Sequence, residues 1–128
     1  MIDRNQPDYD NVYGHVVAPN GLQPILDVVR RLIGECRASI KTSQFNGAET
    51  LRFSTDAVDF ESTPLKDGSQ HLLNGGVGGD LSDVLAFVKT MSRLLTEASI
   101  EHSFEVYDNE SNLVQTFPSG QMGGPDSV

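Results

Sequence analysis

Ala98-Ser99-Ile100-Glu101-His102-Ser103-Phe104-Glu105-Val106-Tyr107 switches from a helical spacing of apolar residues to strict alternation. Ala38-Ser39-Ile40 opens a similar switch sixty residues earlier. The repeated tripeptide predicts a doubled unit, each copy a strand, a helix and a hairpin. Before the first copy of Ala-Ser-Ile, Leu22, Ile25, Leu26, Val29, Leu32, Ile33 and Cys36 recur at three- and four-residue steps. Pro24 falls in that helix's first turn, where a missing N–H costs little, and Arg30, Arg31 and Arg37 gather near its end, where cations suit the helix dipole. Before the second copy, Leu81, Val84, Leu85, Val88, Met91, Leu95 and Ala98 form an equivalent stripe, with Asp80 as the expected N-cap.

The remaining elements are shorter. Tyr13 to Ala18 reads as a strand closed by Pro19-Asn20-Gly21. Asn46-Gly47 is a hairpin turn signal between Ile40–Phe45 and Glu49–Ser54, since both residues accept positive φ. Ala57 to Glu61 is a further strand, and Pro64 to Ser69 links the halves. His71-Leu72-Leu73 reads as a short strand, Asn74 to Gly79 as a glycine loop, and Leu113 to Phe117 as the partner of Ile100–Tyr107 across a polar loop.

These readings predict an α/β domain of the α+β type. Two strand-helix-hairpin units, 12–62 and 70–117, share one mainly antiparallel sheet, with both helices on one face. Residues 1–11 read as a flexible arm and 118–128 as a flexible tail. The second sheet face then stays open. Phe104 and Val106 point into the core while Glu101, Ser103, Glu105 and Tyr107 point out of it.

Composition narrows the classes of function. Eighteen acidic against nine basic residues give a net charge of −9, which opposes nucleic acid and anionic lipid as partners and favours a basic one. A single cysteine excludes an internal disulfide, and no apolar run reaches the length of a membrane helix. Met1 leads into polar sequence without a basic segment followed by an apolar one, so cytoplasmic residence is expected.

No cofactor, metal or catalytic site is expected. Gly75-Gly76-Val77-Gly78-Gly79 lacks the spacing of a phosphate loop, and Asp80 and Asp83 stand where the phosphate would sit. His15, His71 and His102 have no ligand spacing among them, although an enzyme would need one of them in a pocket with a carboxylate. Cys36 ends an apolar stripe and reads as a core thiol. The carboxylates are the distinctive group. Asp56, Asp59 and Glu61 cluster on one strand, and Glu97, Glu101, Glu105, Asp108 and Glu110 crowd a stretch without Lys or Arg. Like charges gathered in this way are rewarded by a counter-charged partner. Glu97, Glu101, Glu105, Tyr107, Asp108, Glu110, Asp56 and Asp59 are therefore the expected partner-binding residues, with Tyr107 as the aromatic anchor.

The segment from Leu81 to Phe117, in which Leu94-Leu95-Thr96-Glu97-Ala98 runs into the acidic strand Glu101 to Asp108, resembles bacterial immunity proteins in type. That resemblance implies a protein-binding inhibitor that neutralises a cognate toxin or effector by covering its active site or holding it inactive; the chain itself is expected as monomer or homodimer. The alternatives are a small-molecule-binding or regulatory dimeric α/β domain, an enzyme, and an accessory subunit of an assembly.

Overall fold

A computed structural model describes residues 10–34, 37–65 and 68–118. The fold is mixed α+β, with a seven-stranded antiparallel sheet and two helices. In chain order the elements are β1 (Val12–Val17), α1 (Gln23–Ile33), β2 (Ala38–Thr42), β3 (Glu49–Ser54), β4 (Val58–Pro64), β5 (Gln70–Val77), α2 (Leu81–Glu97), β6 (His102–Tyr107) and β7 (Leu113–Phe117). The strands lie in the order β2-β3-β4-β5-β1-β6-β7. Each helix is thus a crossover, α1 carrying the chain from the centre to the β2 edge and α2 from β5 over β1 to β6. Among the described residues no helix is long and apolar enough to cross a membrane.

The core lies between the helices and one sheet face. Val12, Val16, Leu51, Phe53, Phe60, Leu73, Phe104 and Val106 point inward with almost no exposure, meeting Val29 of α1 and Val88, Met91 and Leu95 of α2. Of the expected α2 stripe, Leu81 and Ala98 are exposed, while Leu94 and Ser92 take buried positions. Cys36 lies outside the described residues.

The helix ends differ in how they are satisfied. Asp80 caps α2 in a reciprocal box with Asp83, each accepting the other's backbone N–H at 3.1 Å. Leu22 offers α1 no side-chain cap. Glu49 on β3 supplies an acceptor instead, taking the Leu22 N–H at 2.8 Å.

Four readings of the sequence are corrected. The tripeptides are not equivalent: Ala38-Ser39-Ile40 lies within β2, whereas Ala98-Ser99-Ile100 ends α2. There Ser99 adopts φ 61°, and the N–H groups of Ser99 and Ile100 reach back to the Thr96 and Leu95 carbonyls. Asn46-Gly47 does not form a two-residue turn. β2 ends at Thr42, because Ser43 Oγ accepts the Phe45 N–H and Asn46 Oδ1 accepts the Ala48 N–H, which widens the loop and leaves only Gly47 at positive φ. Phe45, expected in the strand, sits fully exposed at the tip.

The third correction is the glycine loop, because β5 runs unbroken through Gly75 and Gly76 to Val77. Gly75 is required there by packing. A Cβ would lie closer than 3.0 Å to the Phe60 ring and the Asp59 carbonyl, nearer than real Cβ atoms come. Gly14 on β1 has the same relation to Phe104. Asn11, expected in the flexible arm, is buried and bonded to β5, with its side-chain amide taking both polar groups of Val77. Residues 1–9 and 119–128 lie outside the described residues.

Candidate functional site

The helices cover one sheet face, and among the described residues no element covers the other. The alternation that runs from Glu101 into β6 places Glu101, Ser103, Glu105 and Tyr107 on that face, opposite to buried Phe104 and Val106. β1 lies beside β6, and Tyr13 stands directly across from Glu105, with Asn74 and Glu61 continuing the row on β5 and β4.

Tyr13 and Tyr107 meet edge to face, ring centroids 5.5 Å apart and planes at 87°. Both hydroxyls are spoken for: Tyr13 donates to the Asp10 carbonyl at 3.2 Å and Tyr107 to Glu105 Oε1 at 2.9 Å. The hydrogen bond to Glu105 pushes the Tyr107 phenol above its ordinary pKa, since ionising it would place two negative charges together. Asp108 begins the β6–β7 loop, and its carboxylate accepts the N–H groups of Asn112 and Glu110. Those two donors hold its pKa below the usual carboxylate value. A groove of about 410 Å³ runs between these groups, lined by Asp10, Tyr13, Glu105, Tyr107, Asp108 and Ser111. It adjoins a second of about 480 Å³ that shares Tyr13 and Glu105 and extends over His15 and Leu72.

The expected acidic patch is therefore divided. Glu101, Glu105, Tyr107 and Asp108 share one side of the open face, with Glu110 in the adjoining loop. Glu97 belongs to the last turn of α2, where it pairs with Arg93 at 2.9 Å. Asp59 lies on β4, three positions across the sheet from β6, and is paired with Arg52 at 3.2 Å. Asp56 is exposed in the β3–β4 turn. Tyr13 and Asp10 were missed, because only the pairing of β1 with β6 brings them to the acidic strand.

The histidines are not brought together. His15 sits on the open face, its Nε2 2.8 Å from Gln70 Oε1. His71 and His102 flank Val16 on the covered face, both buried. His102 Nδ1 lies 2.8 Å from the Ile100 carbonyl, which can only accept, so Nδ1 carries the proton and Nε2 accepts from Ser92 Oγ at 2.7 Å. This serine-histidine pair, unforeseen although Ser92 falls on the buried stripe of α2, ties the helix to β6. A nucleophile needs access to substrate, and both residues are buried. Among the described residues no cluster of His, Cys, Asp or Glu is suited to a metal ion. A cleft of about 580 Å³ beside His71 includes Glu49, but that carboxylate is engaged by α1.

Burial holds the pKa of both His71 and His102 below the ordinary 6.5. For His71 the Gly68 carbonyl and Glu49 oppose that shift, and for His102 the Ile100 carbonyl does so. The unfolded chain then binds more protons than the native one below pH 6.5, so stability is full above that pH and declines as pH falls through the window beneath it. Melting temperature is expected to hold from pH 8 to about 7 and drop toward about 5. His102→Asn should flatten the drop, whatever its cost at neutral pH. A curve rising steadily with acid, as relief of the −9 charge alone would give, would contradict this account.

Comparison with protein-family models, curated proteins and solved structures returned no significant match. Functional assignment therefore rests on the chemistry of the chain's own residues.

Proposed function

We propose that this protein is a protein-binding inhibitor of the immunity type, which neutralises a bacterial toxin or effector by laying its acidic sheet face against a basic surface of that partner. One observation carries the reading: the sheet face turned away from the helices holds Glu105 and Asp108 beside paired tyrosines with Glu101 further along the same edge, and these three carboxylates, unlike Asp59 with Arg52, have no Lys or Arg in salt-bridge contact among the described residues. Such a face steers a cationic partner at long range and offers aromatic area on contact. Inhibition follows if the covered surface is the partner's substrate cleft.

The test is capture from a native extract at low and then moderate salt, followed by affinity measurement with the purified captured protein. Glu101→Lys with Glu105→Lys is expected to weaken that affinity by about tenfold or more, and less so as salt rises. Both positions are exposed, so melting should change little. Unchanged affinity in the double variant would remove the acidic face from the interface.

A further inference from the structure

We infer that the groove between Tyr13 and Tyr107 receives the guanidinium of an arginine side chain presented by the protein partner. The inference rests on the reading above and names what the open face grips.

Two aromatic rings at right angles border the groove, and the acidic residues Asp10, Glu105 and Asp108 line it with them. Among the described residues, none of those lining the groove is a cation. Ring faces carry negative quadrupole charge and attract a cation, and a phenol donating to a carboxylate, as Tyr107 does to Glu105, is more electron-rich still. Both rings are held in place by their hydroxyl hydrogen bonds, so a ligand need not order them.

Guanidinium suits this site better than ammonium. Its planar faces are weakly hydrated and stack on rings, while its edge presents N–H donors in a fork that matches a carboxylate. An ammonium is a strongly hydrated point charge, and stripping its water to reach two rings gives less return. Charge argues against a second copy as the occupant, since the chain carries −9 and its copies repel. The neighbouring groove that shares Tyr13 and Glu105 extends over the exposed Leu72, which offers apolar surface to the stem and neighbours of an arginine on a protein surface.

The experiment is an aromatic NMR titration of the full chain with acetyl-Gly-Arg-Gly-amide and with its lysine and citrulline counterparts. The arginine peptide is expected to shift the ring signals of Tyr13 and Tyr107 and to saturate. The lysine peptide should bind several-fold more weakly, and the neutral citrulline peptide should leave the rings unmoved. Tyr13→Leu and Tyr107→Leu should each weaken arginine binding by about fivefold or more, whereas Tyr107→Phe, which keeps the ring, should retain most of it.

Equal shifts with citrulline, or arginine affinity unaffected by both leucine variants, would overturn the inference. Ring shifts that follow protein concentration without peptide would assign the groove to a second copy, and overturn it too. The two readings fail separately. Capture lost with Glu101→Lys and Glu105→Lys but kept with both tyrosine variants leaves the acidic face standing and removes the arginine groove. Capture unaffected by either pair removes the acidic-face reading itself.

Discussion

Phe60→Ala is expected to lower the unfolding free energy by about 3–5 kcal/mol, the usual cost of removing a buried aromatic ring. Phe60 is 1% exposed and stacks on Phe53 with centroids 5.0 Å apart and planes at 6°, and on Phe87 at 6.2 Å. It joins β3, β4 and α2 across the core, so the cavity cannot close by moving one neighbour. Gly75→Ala in the intact core should cost about 1–3 kcal/mol for the opposite reason, because its methyl enters space the ring fills. Combined, the two changes should cost less than their sum by about 1 kcal/mol, as the methyl occupies part of the vacated volume. Some penalty remains, since the Asp59 carbonyl also crowds that methyl. Urea unfolding of the four proteins of this cycle measures the coupling. Strict additivity would mean that ring and glycine do not compete for the same space.

That pair shows why part of the fold was legible and part was not. Residues that act on neighbours in the chain declare themselves: the apolar stripes of the two helices, Asp80 with Asp83 three positions on, and the alternation that sorts Phe104 and Val106 from Glu105 and Tyr107. Gly75 does not, because what forbids a side chain there is a ring on another strand, fifteen residues away. A cluster of glycines looks the same whether it bends freely or lies in a strand beneath aromatic rings. The α1 cap is hidden likewise, since Leu22 is satisfied by Glu49, twenty-seven residues on. Closeness in sequence also misled in the acidic patch. Glu97 is only four residues from Glu101, yet the turn at Ser99 separates helix layer from open sheet face. Tyr13 is more than ninety residues from Tyr107, and the sheet order sets their rings in contact.

Asn11→Ala is expected to cost about 2–4 kcal/mol, a large effect for a residue beside a chain end, because it leaves two buried backbone groups unpaired. The Asn11 amide accepts the Val77 N–H at 2.9 Å and donates to the Val77 carbonyl at 3.0 Å, so the side chain extends the ladder where the backbone of β1 has stopped. Its own N–H bonds to Gly75 O and its carbonyl accepts the Tyr107 N–H, which ties β5, β1 and β6 at the end of the sheet that carries the tyrosine groove. Asn11→Asp separates the two roles. A carboxylate still accepts from Val77 N–H but faces the Val77 carbonyl with no proton to donate, and burial favours its neutral form. Protonated, it can donate as the amide did. The folded pKa of that new carboxyl is therefore raised above its unfolded value, and the deficit of Asn11→Asp relative to the parent should be largest at neutral pH and shrink as pH falls toward the carboxylate range. Melting curves of parent, Asn11→Ala and Asn11→Asp across pH decide it. A pH-independent deficit in the Asp variant would show that protonation does not restore the donated bond, and would overturn this account. A deficit confined to neutral pH would assign it to the donor that the ionised carboxylate lacks toward the Val77 carbonyl.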